Sequence, residues 1–260
     1  MNVSSWLNQA KTKVDLIDAE LILSHVLGQD RVFLVSHNDY ELADNELGLA
    51  NKMLLERQNG RPLAYLTGSK EFYGRNFEVN PSVLIPRPET EDLIDIVKTL
   101  PGKRILDVGT GSGCIAITLA LEYPESEVTA VDISVDALSS AQQNADKLGA
   151  KVTFLESDLL KNVSGDFDII VANLPYVDES WGWLDKNSLS FEPSLALYAD
   201  DSGLALIKKL IDQIIVRDFH GYLVLESDTC QQDAIKKYAL EHGLEHIRTQ
   251  GFITLFAVGA

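Results

Sequence analysis

Asp107-Val108-Gly109-Thr110-Gly111-Ser112-Gly113 follows the run Arg104-Ile105-Leu106 and precedes an apolar-rich segment from Cys114 to Leu121. That succession predicts a strand, a tight glycine turn and a helix. Three glycines on alternate positions let the backbone come close to a ligand and take positive φ where a turn needs it. The first turn of the following helix directs its unpaired N–H groups at whatever sits in the glycine turn. The stretch therefore reads as a cradle for a nucleotide-type cofactor.

Downstream of the cradle, strand and helix signals alternate. Strands are expected near residues 104–108, 127–131, 151–155, 168–172, 221–226 and 252–258, and helices near 113–122, 134–148, 203–216 and 230–242. Apolar strands alternating with amphipathic helices predict an α/β fold with a mostly parallel sheet covered on both faces. Its ligand belongs outside the carboxyl ends of the strands. The longest irregular stretch, residues 177–202, follows a strand end. A loop of that length is expected to be functional.

Upstream the pattern is helical. Leu16, Ala19, Glu20, Leu23, Val26 and Leu27 recur at helical spacing, with Gly28 as a stop. Leu47, Ala50, Met53, Leu54 and Arg57 mark one face of a second helix, which ends at Asn59-Gly60 with Pro62 just beyond. Trp6 and Met53 are expected in a core. Residues 1–60 are thus expected to form a small helical domain. Between Ala64 and Val83, Tyr65, Phe72, Tyr73, Phe77 and Val79 are strand types, and Gly68 and Gly74 punctuate turns. Residues 61–85 are expected as a linking β-hairpin, and residues 86–260 as the second domain. The first helix of that domain opens near Pro88 to Thr90 and carries Leu93, Ile94, Ile96 and Val97.

Composition narrows the class. A chain of 260 residues has room for one large core and a smaller one. Its net charge of −17 opposes general binding of a phosphate backbone, and no run of Lys or Arg offsets it. Direct nucleic-acid binding is therefore not expected. Cys114 and Cys230 are far apart and lack metal-type spacing, so free thiols and no metal site are expected. There is no basic-then-apolar leader at Met1 and no apolar run of about 18 residues, so no membrane association and a cytoplasmic location are expected.

The cradle spacing, Gly109-x-Gly111-x-Gly113, is neither the dinucleotide Gly-x-Gly-x-x-Gly nor a P-loop. Asp107 beside it disfavours a phosphate and favours a cationic or amino-bearing ligand. S-adenosylmethionine has no phosphate but carries a sulfonium and an ammonium. Asp132 ends the next strand, where a carboxylate can accept both ribose hydroxyls. It is also placed to cap the helix at 134–148. Asp158 ends the third strand unit and is either a partner for an adenine amino group or a plain loop acid. Asn173-Leu174-Pro175-Tyr176 follows the strand Asp168 to Ala172. A planar NH2 group is a poor nucleophile because its lone pair is delocalised. An Asn side-chain oxygen and a backbone carbonyl can accept both of its N–H bonds, while an aromatic ring holds it flat. Pro175 keeps Leu174 extended and so fixes where its carbonyl points.

Together these features resemble a class I methyltransferase. Arg61-Pro62-Leu63-Ala64-Tyr65-Leu66-Thr67-Gly68, Glu71-Phe72-Tyr73-Gly74 and Leu84-Ile85-Pro86-Arg87-Pro88-Glu89-Thr90-Glu91 are more specific. With Phe191-Glu192-Pro193 and Ala199-Asp200-Asp201-Ser202-Gly203, they closely resemble the PrmC/HemK family of peptide chain release factor glutamine methyltransferases. The likeness runs from the helical N-terminal domain to about Gln231. It implies a Rossmann-like, mostly parallel seven-stranded sheet with a small N-terminal helical domain and a linking β-hairpin. It also implies methylation by S-adenosylmethionine, with S-adenosylhomocysteine as product, of the side-chain amide nitrogen of the Gln in the Gly-Gly-Gln loop of release factors. By position, Gly109, Thr110, Gly111, Ser112 and Gly113 would hold the methionine part of the cofactor. Asp132 would hold the ribose, Asp158 and Leu159 the adenine side, and Asn173 would border the cofactor. Asn173, Leu174, Pro175 and Tyr176 would clamp the glutamine amide, with Asn173 and Tyr176 catalytic. The release factor is the expected partner of a monomeric enzyme.

Two departures stand out. The family usually has Asn-Pro-Pro-Tyr, and Leu174 takes the second place here. Asn-Leu-Pro-Tyr also occurs in rRNA adenine-N6 dimethyltransferases, so the tetrapeptide alone does not choose between an amide and an adenine. Adenine methylation in RNA or DNA, and a cofactor-binding protein with degenerate chemistry, are the alternatives. Gln250-Gly251-Phe252-Ile253-Thr254 lacks the acidic and basic residues usual before the last strand.

Overall fold

The computed structural model describes residues 1–184 and 186–259. The chain divides into two compact units, one of Met1–Ser69 with Asp185–Phe191, the other of Lys70–Leu184 with Glu192–Ala260.

The first unit begins with α1 (Val3–Ala10), α2 (Leu16–Leu27), α3 (Arg31–Ser36), α4 (Asp44–Gln58) and α5 (Leu63–Thr67). Its core gathers Trp6, Ala19, Ile22, Leu23, Ala50, Met53 and Leu54. The Trp6 indole N–H donates to Asn51 Oδ1 at 2.9 Å, which satisfies the one polar atom its burial would strand. Gly28 ends α2 at φ 63°, the left-handed stop its position predicts. Leu16 belongs to the helix but is solvent-exposed, and Ile22 takes the core position. Tyr65, expected in a strand, lies on α5. Pro62, at φ −57°, opens that short helix and Gly68, at φ 72°, closes it.

The second unit starts at Lys70, one residue into the hairpin of β1 (Ser69–Phe72) and β2 (Arg75–Glu78). Tyr73 and Gly74 both have positive φ, 51° and 71°, as a two-residue turn between twisted strands requires. A single 3-10 turn, Pro88–Thr90, leads into α6 (Glu91–Val97). Then come β3 (Arg104–Val108), α7 (Cys114–Glu122), β4 (Glu127–Asp132), α8 (Val135–Leu148), β5 (Thr153–Glu156) and β6 (Ile169–Ala172). After α9 (Lys186–Leu189), which belongs to the first unit, follow α10 (Ser194–Leu197), α11 (Ala205–Val216), β7 (Gly221–Glu226), α12 (Gln232–Glu241), β8 (Leu244–Gln250) and β9 (Ile253–Val258).

These strands form a seven-stranded sheet in the order β5-β4-β3-β6-β7-β9-β8. The first five run parallel, and β9 pairs antiparallel with both β7 and β8. Alternate residues face opposite sides. Leu106, Val108, Ile170, Leu223 and Leu225 pack under Ile207, Leu210, Ile211 and Ile214 of α11. Ile105, Ile169, Val171 and Val224 pack under Leu93, Ile94, Ile115 and Leu119 of α6 and α7. Strand β8 is absent from the strand signals because Glu245, His246, Arg248, Thr249 and Gln250 break the apolar run, as an edge strand permits. Chain order reverses between β3 and β6, so the crevice at their carboxyl ends is the place for a ligand.

Candidate active site

The glycine turn leaves β3 at that crevice. Gly109, Gly111 and Gly113 have φ of 77°, 55° and 81°. The Gly109 and Thr110 amides donate to the Val131 carbonyl at 2.8 and 3.0 Å, which ties the turn to the end of β4. Asn144 of α8 supports it from below. Its amide NH2 donates to the carbonyls of Ser112 and Glu78, each at 2.9 Å, and its oxygen accepts from the Glu78 N–H at 2.7 Å. One buried amide therefore joins the glycine turn to the hairpin.

Asp107 does not face the ligand space. It is fully buried under the turn, where Oδ2 accepts from Thr110 Oγ1 at 2.7 Å and from the Ala116 N–H at 3.2 Å. Burial pushes its carboxyl up to about 7 despite those two bonds. Oδ1 has no partner. Protonation therefore favours the folded state. The contribution is fully present below the unfolded value near 4 and is lost as pH rises through about 7. Asp107→Asn keeps both acceptor bonds and removes the charge. Its melting temperature should gain on wild type by several degrees between about pH 5 and pH 8. A gap that does not change with pH over that range contradicts this.

Asp132 stands at the end of β4 on the cavity wall. Its Oδ2 accepts from the Gly111 N–H and its Oδ1 from the Ser134 N–H, both at 2.9 Å. Each oxygen keeps a second lone pair for a ligand hydroxyl. Burial raises its pKa against the lowering effect of the backbone N–H groups of Ser134, Gly111 and Ile133. The helix cap at 134–148 is Ser134, whose Oγ accepts from the Ala137 N–H, so Asp132 braces the cap from one residue further back. Asp158 also lines the cavity, but both its oxygens take the Lys209 ammonium, at 2.7 and 2.8 Å. Leu159, at φ 52°, turns its side chain into the core rim beside it.

Asn173 follows β6 across the crevice. Its Nδ2 donates to Thr90 Oγ1 at 3.1 Å, which leaves Oδ1 to face a ligand. Leu174 is buried and packs beside Gly109, so the residue that departs from the family pattern fills core space. Tyr176 stands behind the cavity wall. Its hydroxyl donates to Glu226 Oε1 at 3.2 Å, and burial, then the Glu226 charge and hydrogen bond, raise its pKa.

Gly109, Thr110, Gly111, Ser112, Asp132, Asp158, Leu159, Asn173, Leu174 and Pro175 line one cavity. Gly113 and Tyr176 adjoin it without lining it. Residues not singled out as site residues from sequence complete the wall, among them Val83, Arg87, Thr90, Ile133 and Leu206. Arg87 pairs with Glu192 at 2.5 Å, and Glu192 also accepts from the Ile85 N–H at 3.0 Å. That buried carboxylate joins Leu84-Ile85-Pro86-Arg87 to Glu192-Pro193, two segments far apart in sequence. Among the described residues, Arg87 is the one basic side chain on the cavity wall, against the acids Asp132 and Asp158. Such a lining does not suit a pyrophosphate. It suits a ligand with a sulfonium, an ammonium, ribose hydroxyls and an apolar ring, which is S-adenosylmethionine. Among the described residues, no group of His, Cys, Asp and Glu is placed to hold a metal ion, and no helix is long and apolar enough to cross a membrane.

The sheet order, the glycine turn and the acidic strand ends define a class I methyltransferase. The fold is shared with a methyltransferase from Pyrococcus furiosus (TM-score 0.55, 19% identity, 81% of this chain and 98% of that one). It is shared too with the 16S rRNA N2 G1207 methyltransferase of T. thermophilus, solved with AdoMet and guanosine (TM-score 0.53, 19% identity, 74% of this chain and 50% of that one). Residues 2–68 match the PrmC N-terminal domain and residues 88–182 the methyltransferase small domain. The chain is 38% identical to the release factor glutamine methyltransferase of Escherichia coli over 262 residues, covering 96% of this chain and 94% of that protein. It is 45% identical to that of Koribacter versatilis over 215 residues, covering 80% and 77%. The chain belongs to the release factor glutamine methyltransferase family.

Proposed function

We propose that this enzyme methylates the side-chain amide nitrogen of the glutamine in the Gly-Gly-Gln loop of peptide chain release factors, using S-adenosylmethionine. The observation that carries the assignment is the placing of Asn173 beside the glycine turn, with Nδ2 held by Thr90 and Oδ1 left for the substrate. S-adenosylmethionine, when bound, supplies an electrophilic methyl group. Gly109 to Ser112 form the wall for its methionine part, with Gly113 closing the turn. Asp132 accepts from its ribose hydroxyls, and Asp158 and Leu159 border its adenine.

Asn173 Oδ1 and the Leu174 carbonyl accept the two N–H bonds of the glutamine amide, Pro175 keeps the group flat, and Tyr176 backs the clamp from behind the wall with its hydroxyl on Glu226 Oε1. The clamp fixes the nitrogen in line for displacement. With the cofactor held there, the amide nitrogen would take the methyl group, S-adenosylhomocysteine would leave, and one amide proton would pass to solvent. Residues 1–60 dock the release factor, residues 61–85 link, and residues 86–260 carry the chemistry. The net charge of −17 disfavours a direct nucleic-acid substrate. The enzyme acts as a cytoplasmic monomer. Labelled-methyl transfer with release factor and rRNA offered side by side tests the substrate. Label in the protein alone is expected, and label in the RNA overturns the assignment.

A further inference from the structure

Glu226 ends β7 with about 1% of its surface exposed. No step assigned above uses it. Burying a carboxylate without a cation costs stability, so its presence asks for a reason. Its Oε1 accepts from the Tyr176 hydroxyl at 3.2 Å, and the side chains of Thr90 and Asn173 lie against the same carboxylate. Three residues that touch or support the substrate amide thus meet one buried acid.

We infer that Glu226 is the positioning residue that sets which way the Asn173 amide faces. The direction follows from donor and acceptor inventory. Burial raises the Glu226 pKa, the side-chain donors of Thr90, Tyr176 and Asn173 act against that rise, and the ionised carboxylate they favour only accepts. Thr90 has one hydroxyl hydrogen, and the carboxylate beside it is an acceptor for that hydrogen. The Thr90 oxygen is then left as an acceptor, which is how it meets Asn173 Nδ2 at 3.1 Å. With Nδ2 held inward, Oδ1 faces the cavity, where the glutamine N–H needs an acceptor. The substitution Glu226→Gln breaks the direction of this relay. Its NH2 donates to Thr90, whose hydroxyl then donates to Asn173 Oδ1. The Asn173 amide turns over and presents its own NH2 to the substrate NH2.

The inference rests on the amide-methylation assignment, and the test separates the two. In Glu226→Gln, kcat for release factor methylation falls on the order of 10- to 100-fold. KM for the cofactor stays within about twofold. The melting temperature is unchanged or raised, because a buried charge is gone. The side-chain amide protons of Asn173, identified by NMR from their loss in Asn173→Ala, exchange slowly in the wild type and severalfold faster in Glu226→Gln. Wild-type kcat in the variant, or unchanged exchange, overturns the inference. So does a kcat loss that comes with an equal loss of thermal stability, since that marks a structural role. A wild-type chain that labels no glutamine sinks the methylation assignment, and the exchange measurement still decides the role of Glu226.

Discussion

Asn173→Ala should lower kcat for methyl transfer about 100- to 1,000-fold while leaving cofactor affinity within about threefold. The Asn173 NH2 is spent on Thr90, at 3.1 Å, so the atom that alanine removes from the cavity is the Oδ1 acceptor. An amide nitrogen lends its lone pair to its own carbonyl and attacks poorly unless it is held in line. Losing one of two acceptors frees the substrate NH2 to rotate away from the attacking geometry. The cofactor wall keeps Gly109 to Ser112, Asp132 and Asp158, so binding of the methyl donor should change little. Single-turnover transfer of labelled methyl, with affinity measured by calorimetry, separates the two effects. Wild-type turnover would remove Asn173 from the catalytic role.

Gly203→Ala should be the most damaging single change to the fold around the site. Gly203 sits at φ 80°, and an added Cβ would lie on the Tyr176 carbonyl oxygen and 2.7 Å from its carbon. The same space holds the Gln231 amide, which donates to the carbonyls of Tyr176 and Ser202, each at 2.8 Å. Neither backbone nor a doubly bonded amide yields cheaply. Loss on the order of 3–5 kcal/mol is expected, together with displacement of Tyr176 and loss of activity. Gly149→Ala is the control. Gly149 has φ 71° with nothing within 4 Å, so it tests backbone strain without the collision and should cost about 1–2 kcal/mol. Urea midpoints of the two variants compare them directly. Equal losses would mean that the packing of Gly203 against Tyr176 contributes nothing.

The parts of the candidate site that were legible in the sequence are those set by local pattern. Gly109 to Ser112 announced themselves by the spacing of the glycine turn, and Asp132 and Asp158 by standing at strand ends. What the sequence concealed depends on tertiary contact. Asp107 looks like a ligand-facing acid beside the turn, yet alternation along β3 turns it under the turn to hold Thr110 and Ala116. Asn144 lies in the middle of α8 and carries no local sign that it clamps Ser112 and Glu78. Glu226 reads as the end of an apolar strand, and only the meeting of β7 with Tyr176 and Thr90 gives it meaning. Tyr65 carries strand-type chemistry but sits between Pro62 and Gly68, which favour one turn of helix. Strand β8 escaped because an edge strand needs little apolar alternation.

The central claim is that this cavity delivers a methyl group to one glutamine amide. Mass mapping of a release factor co-incubated with the enzyme and S-adenosylmethionine tests it most directly, with the Gly-Gly-Gln glutamine replaced by alanine as the control. One added methyl group on the peptide that carries that glutamine, absent from the alanine control, is the predicted result. Methylation elsewhere on the release factor, or none while methyl groups appear on adenine in RNA, would contradict it.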